Sequence, residues 1–345
     1  CAEVGARVTL LEAKPSRAPT PAHLELVPNL LREVATLGVA DACVRQGFPY
    51  SGVSLIAENG TPRVEVSTDR LAGDRLPSAV GIAFDDFIAI LSSRAAALGV
   101  EIETGQCVVD IADSGRVCVA GREPLSASLV VVAAGADTPI ARALFGPLHP
   151  TAACQRWWHV LIPRPQGLDR PVWLAGTPGR RLILVPVSMS QAGIAVLRDA
   201  PGDGDCSAKA LIRTLNGWGE VARRLAALVD PDSATVARAG GAALMEGSWC
   251  RGAALRVGAS ARAMDPAFGQ SAAQAIEDAV VLGELLRRGL RGAVLSESFI
   301  QRRNVRARRV HALVQRAAGW LAHPEPSTNL SALSAELDAL VALPP

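Results

Sequence analysis

The stretch Gly258–Leu282, "GASARAMDPAFGQSAAQAIEDAVVL", decides how the rest of this chain is read. Before it comes "AALRVG", an apolar run that reads as a buried strand, and behind Gly269 the residues from Gln270 to Arg287 read as one long helix. Between them lies a loop rich in Gly and Pro. Backbone N–H groups gathered at a helix N-terminus attract an anion or the electron-rich edge of a ring. Ala259 follows Gly258, so no acidic side chain stands at the start of this loop.

Working outward, strand and helix signals alternate at both ends of the chain. "CAEVGARVTLLEAKPS" reads as the tail of a helix, a turn at Gly5 and a buried strand Arg7–Leu11 that ends at Glu12; an opening on half a helix leads us to expect sequence in front of Cys1. Asn29–Leu37 and Ala40–Gln46 read as short amphipathic helices divided by Gly38. "GVSLIAENGTPRVEV" predicts a hairpin turning at Asn59-Gly60. "DDFIAILSSRAAALGVEIE" predicts a helix capped near Asp85 and stopped at Gly99, then a strand Val100–Glu103. "QCVVDIAD", "RVCVAG" and "SLVVVAAGA" follow as strands, the last apolar on both faces like an interior parallel strand.

From Thr151 to Met245 the pattern changes to "CQRWWHVLIPRP", "PVWLAG", "RRLILVPVS" and "GIAVLRD", strands of an antiparallel sheet, followed by helices at "SAKALIRTLNGW" and "EVARRLAALV". Helices around Leu295–Ala322 and Leu330–Leu340 close the chain. The fold class expected is α/β, a Rossmann-like three-layer domain with an inserted antiparallel β-sheet domain. Residues 1–49, 79–150 and 246–316 would form the nucleotide-binding part, 50–78 and 151–245 the substrate-binding sheet, and 317–345 C-terminal helices.

Composition excludes several classes. With 345 residues, 49% of them hydrophobic, the chain can bury a large core, and a net charge of +2 selects no partner. "QRRNVRARRVHALVQR" (Gln301–Arg316) carries six arginines but no interleaved aromatics, so it reads as a solvated basic face beside Val305, Val310, Leu313 and Val314, not as a nucleic-acid site. The seven scattered cysteines form neither a zinc pattern nor a disulfide framework. No apolar run is long enough to span a bilayer, and a cytoplasmic location is expected. "LSALSAELDALVAL" suits packing in cis or against a second copy, as in a homodimer.

Glu12 at a strand end is placed to accept ribose hydroxyls of an adenosine. Gly258, Pro266, Gly269 and Gln270, with Asp278 on the following helix, resemble the flavin-contacting motif of the group A FAD-dependent aromatic monooxygenases, the para-hydroxybenzoate, salicylate and quinolone hydroxylase type. "LVPNLLREVATLGVADACVRQG" (Leu26–Gly47), "LVVVAAGADTPIARALFG" (Leu129–Gly146) and "GSWCRGAAL" (Gly247–Leu255) are similar to the same family, so the likeness runs through nearly the whole chain. The resemblance implies FAD held by Glu12, Gly135, Gly258, Ala259, Pro266, Gly269 and Gln270, reduced by NAD(P)H. O2 would then add at the flavin C4a, and the hydroperoxide would hydroxylate a small aromatic substrate. His23, His159 and Arg262 are the candidate catalytic side chains, and Trp157 and Trp158 candidate walls of the substrate cavity. No metal site is implied.

Departures from the family pattern gather at the cofactor. Ala259 stands for its Asp, Arg262 for its His, Ser271 for a Gly, Ala134 for an Asp and Phe84 for an Arg, while Pro21 and His23 stand near its glycines. Each lost hydrogen bond costs about 1 kcal/mol, so the alternative is a flavin-poor or non-redox relative that binds or cyclises an aromatic or polyketide-like ligand.

Overall fold

The computed structural model describes the chain apart from residues 16–19, 21, 136–137, 148–154, 175–179, 200–204, 241–242, 245–246, 266–267 and 323–329. Pro21 and Pro266 therefore lie outside the described residues.

A short helical turn, Ala2–Val4, closes at Gly5 with φ 80° and leads to β1 (Thr9–Glu12). β2 (His23–Leu26) runs into α1 (Pro28–Thr36), where Pro28 supplies the φ a first helical turn needs, and α2 (Ala40–Gln46) follows. Next come β3 (Phe48–Tyr50), β4 (Val53–Ile56), β5 (Pro62–Val66), β6 (Ala79–Ala83), α3 (Phe84–Ala97) and β7 (Glu101–Thr104). The helix expected to cap near Asp85 starts at Phe84, and Asp85 sits in its first turn. β8 (Val108–Ile111), β9 (Arg116–Val119) and β10 (Leu125–Ser126) form a meander before β11 (Val130–Val132) and α4 (Pro139–Phe145).

β12 (Gln155–Pro163), β13 (Val172–Leu174), β14 (Arg180–Pro186) and β15 (Gln191–Asp199) precede α5 (Ala208–Asn216) and α6 (Gly219–Ala226). β16 (Val236–Gly240), β17 (Ala243–Leu244), β18 (Cys250–Arg251), β19 (Ala254–Arg256) and β20 (Arg262–Ala263) lead to α7 (Gln270–Arg287), α8 (Gly292–Ala322) and α9 (Leu330–Ala342).

The largest sheet has the order β16-β12-β15-β14-β13-β4-β5, so the hairpin read at Asn59-Gly60 extends the sheet read from Thr151 onward. Its two faces separate by strand alternation. Trp158, Val160, Ile162, Leu182, Leu184, Ile194 and Val196 pack beneath α5 and α6. Trp157, Ile183, Val185, Ala195 and Leu197 form the other face, with Phe268 against it. Trp158 is therefore core packing under helices, while Trp157 and His159 stand on the inner side. Each large apolar side chain buried there contributes roughly 2 kcal/mol.

Opposite that inner face stands a small antiparallel sheet, β2-β6-β3. At Gly81 of β6 an added Cβ would come within 2.0 Å of the Pro186 carbonyl oxygen of β14, so the absence of a side chain lets the two sheets touch. β1 pairs in parallel with β7, and β11 with β19. The interior position expected for β11 is not what the structure shows: among the described residues it pairs along one edge only, and Val131 is exposed.

Candidate functional site

β19 stops at a tight turn, Gly258–Ser260. Gly258 has φ 57°, and its N–H donates to Asp278 Oδ2 of α7 at 2.8 Å. Ser260 Oγ donates to the Val132 carbonyl at 2.6 Å, which ties the turn to β11. At the far end of the loop Gly269, φ 63°, is the N-cap of α7 and offers it no side-chain acceptor. The first N–H groups of this 18-residue helix are thus left to whatever lies in front of them. A Cβ on Gly269 would sit 2.7 Å from Val27 Cγ1 and 3.1 Å from the Glu25 carbonyl oxygen, so the loop lies hard against the junction of β2 and α1. The Gln270 amide is held by α1: its Nε2 donates to Asn29 Oδ1 at 3.1 Å and its Oε1 accepts from Asn29 Nδ2 at 3.2 Å.

Behind the loop, α7 and α8 bury a cluster of charge. Asp278 accepts from Arg262 Nη2 at 2.7 Å and from Arg303 Nε at 2.8 Å. Glu277 accepts from Arg303 Nη1 and Arg306 Nε, both at 2.9 Å, and from Asn29 Nδ2 at 3.0 Å. Burial pushes the Glu277 carboxyl up, but the Arg306 hydrogen bonds and the charges of Arg303 and Arg306 outweigh it and hold the group below the usual range. Arg306 Nη1 also donates to the Leu340 carbonyl, at the last turn of α9, at 2.8 Å. The solvated basic face expected of α8 is corrected here: Arg303 and Arg306 are buried, and Val305, expected in the apolar stripe, is 65% exposed. Arg303, Arg306, Val310 and Leu313 recur at helical spacing, so the two arginines belong to the inward stripe.

Arg262 is part of this cluster. Its Nη2 donates to Asp278 and to the Gln274 carbonyl, and its guanidinium lies over the Trp249 ring. The side chain therefore braces the loop from behind. His23 and His159, far apart in sequence, are brought together with ring centroids 5.6 Å apart. Gly193 of β15 makes this contact fit, since a Cβ there would fall 2.1 Å from His23 Nδ1. Glu12 ends β1 with an exposed carboxylate whose Oε1 accepts from the Lys14 N–H at 2.9 Å. Gly135 has φ 103° and open space where a side chain would stand.

Sequence reading missed Glu25 and Tyr50. The Tyr50 hydroxyl donates to Glu25 Oε2 at 3.0 Å. A signal was present: Glu25 interrupts the apolar run Leu24–Val27, where a strand facing a core has no use for a carboxylate. Burial pushes the Glu25 carboxyl up to about 7, the Tyr50 hydrogen bond opposing, and burial pushes His23 down to about 4.

The two shifts act on stability in opposite directions. The folded His23 refuses a proton that the unfolded chain takes below 6.5, so stability falls as pH drops from 6.5 towards 4. The folded Glu25 keeps a proton that the unfolded chain loses above 4.5, so stability falls as pH rises from 4.5 to about 7 and then levels. Urea unfolding across this range is expected to show His23→Gln removing the acid-side loss and Glu25→Gln the other, each by up to about 3 kcal/mol.

The profile of the family described as "FAD binding domain" matches residues 2–317. The chain belongs to this family. FAD is its cofactor, and it is a flavoprotein oxidoreductase. The 2-heptyl-3-hydroxy-4(1H)-quinolone synthase of Pseudomonas aeruginosa (strain UCBPP-PA14) is 25% identical over 294 residues, 80% of this chain and 73% of the relative. Among solved structures, Klebsiella pneumoniae HpxO complexed with FAD and uric acid superposes with a TM-score of 0.77 at 20% identity, covering 96% of this chain and 85% of the other. A mutant of 2-methyl-3-hydroxypyridine-5-carboxylic acid oxygenase does so at 0.79 and 20% identity, covering 99% and 93%. These likenesses agree with the expected Rossmann-like domain and substrate sheet. Among the described residues no helix is long and apolar enough to cross a membrane.

The residues present are compatible with FAD: Glu12 carries an exposed carboxylate, Gly135 has open space where a side chain would stand, and the N-terminus of α7 has no side-chain cap. Ala259 has no polar side chain to offer, and the Gly258 N–H beside it is held by Asp278.

Proposed function

We propose that this chain is a FAD-dependent monooxygenase that hydroxylates a small planar aromatic substrate, with NAD(P)H and O2 as co-substrates. One observation carries the reading: the loop before α7 meets the inner face of the large sheet. Phe268, just before Gly269, stands edge-on to Trp173 of β13 with centroids 5.4 Å apart, and Asp265 of the same loop accepts from Arg181 Nη1 of β14 at 3.1 Å. A cofactor ring at the α7 N-terminus would thus face a wall of aromatic and aliphatic side chains.

When bound, FAD supplies the transfer of electrons from NAD(P)H and the activation of O2. The chain's own residues do the rest. Glu12 would hold the ribose, and Gly258, Ala259, Gly269 and Gln270 would line the ring side of the cofactor. Trp157, Ile183, Val185 and Leu197 would keep water from the substrate. Arg181, buried, over the Trp157 ring and with no acceptor for its Nε among the described residues, would orient a carbonyl or anionic group on the substrate. The relatives' names carry a quinolone, a pyridine carboxylic acid and uric acid, all planar nitrogen heterocycles, and a substrate of that kind suits this wall.

The test is a visible absorption spectrum of the purified chain after addition of FAD and desalting, followed by NAD(P)H oxidation with hydroxylated quinolines, pyridines and phenols. Flavin bands that stay with the protein and substrate-dependent NAD(P)H consumption are expected. A colourless protein that ignores added FAD sinks the proposal.

A further inference from the structure

β2 turns His23 and Glu25 to one face and Leu24 and Leu26 to the other, where the leucines enter the core around α1. The first face looks at the large sheet. His23 packs on Gly193 there, and Gly81, paired with Glu25 across β2 and β6, touches Pro186. Phe48, paired with Gly81 from the other side, lies under the Arg164 guanidinium at 5.0 Å. Glu25 thus stands between the two sheets, and its own carbonyl borders Gly269 at the head of α7. Its carboxylate is fixed at one end, where Oε2 accepts from Tyr50, a buried residue and the only tyrosine of the chain. Among the described residues none donates to Oε1. Glu25 also keeps some accessible surface although protein surrounds it, the condition of a group on the wall of a cleft.

We propose that Glu25 accepts the acidic O–H or N–H proton of the aromatic substrate, with Tyr50 as the positioning residue that steadies the carboxylate for it. The inference rests on the aromatic-substrate reading above. In the step, the ring O–H or N–H bond breaks and its electron pair stays on the ring. The proton joins Glu25 Oε1, and the negative charge passes from the carboxylate to the ring. A ring made more electron-rich in this way reacts faster with an electrophilic oxygen atom.

The other groups on the elements packed here are less suited. His159 on β12 lies beyond His23, Arg181 on β14 is paired with Asp265, and Arg164 covers Phe48. A base works best when its pKa is close to the working pH, and Glu25 at about 7 meets this condition where His23 at about 4 does not.

The experiment uses the full chain with FAD added and p-nitrophenol, whose phenol and phenolate absorb differently, as the probe. Infrared difference spectra should show a protonated carboxyl band that disappears with a midpoint near 7 and is missing in Glu25→Gln. Tyr50→Phe should raise that midpoint by about one unit, since it removes a hydrogen bond to the charged form. On wild-type protein the bound probe should be largely phenolate with the carboxyl band enhanced. In Glu25→Gln it should bind as phenol, with the phenolate fraction down about tenfold. A probe equally ionised in both proteins overturns the proposal alone, as does a wild-type chain without the titrating band. A wild-type chain that shows the band but binds no probe ends the aromatic-substrate reading and this inference together. Should Glu25→Gln fail to fold, an unchanged midpoint in Tyr50→Phe overturns the proposal by itself.

Discussion

Asp278→Ala is expected to lower stability by about 3–5 kcal/mol, a large part of what a domain has in total. The carboxylate holds three partners at once: the Gly258 N–H, Arg262 and Arg303. Without it three buried guanidinium groups, those of Arg262, Arg303 and Arg306, would share the single carboxylate of Glu277. Two of them have nowhere to go, since Arg303 is wholly buried and Arg262 is 2% exposed with the Trp249 ring beneath it. The loss is therefore mainly that of stranding charges in a medium that solvates them poorly. Asp278→Asn keeps an acceptor for the Gly258 N–H and should lose less; both variants lack the charge, so the difference between them reports that acceptor and the loss they share reports the charge. Urea unfolding of both, with FAD retention after desalting, checks this. An alanine variant within about 1 kcal/mol of wild type would mean that the cluster does not support the loop.

That cluster also shows where sequence reading stops. α7 was legible from Gln270 to Arg287 because Gly269 marks its start and no proline interrupts it. The hairpin at Asn59-Gly60 was legible because its turn chemistry is local: Gly60 takes φ 86°, and Asn59 Oδ1 accepts from the Thr61 N–H at 3.0 Å. Arg303 and Arg306 were misread because a charged side chain on a helix is usually solvated, and only their spacing with Val310 and Leu313 tells otherwise. Their partners Glu277 and Asp278 lie on another helix, and nothing local to either sequence states that the helices meet. Glu25 and Tyr50 pose the same problem at shorter range, since the contact depends on β6 entering between their strands. Local rules thus recovered the elements, and the family resemblance recovered the family and its cofactor. What stayed hidden were polar groups whose meaning is set by a partner in another element. The pairing of His23 with His159 belongs to this class too, because it exists only where Gly193 leaves room.

One substitution made at two places on the same helix should change stability in opposite directions. At Gly269, alanine must adopt φ 63°, which costs about 1–2 kcal/mol for a residue with a Cβ. Its methyl would also meet Val27 Cγ1 at 2.7 Å and the Glu25 carbonyl at 3.1 Å, and relieving such overpacking costs about 1–3 kcal/mol more. Val27 is the residue before α1 and packs against that core, so it has little room to retreat. The helix start has to move instead, and with it the first N–H groups of α7, which the proposal sets against the cofactor. Gly269→Ala is accordingly expected to lose about 2–4 kcal/mol and to weaken FAD binding at least tenfold. Gly283 lies inside α7, where a methyl would meet nothing within 4 Å, and alanine there should gain about 0.5–1 kcal/mol by restricting the unfolded chain. FAD titrations and urea unfolding of the two variants separate the causes. Weakened FAD binding in Gly269→Ala but not in Gly283→Ala ties the cofactor to the geometry of the α7 N-terminus. Equal FAD affinities in the two would place the flavin ring elsewhere, because the N-cap sets where the first N–H groups point and an interior position does not.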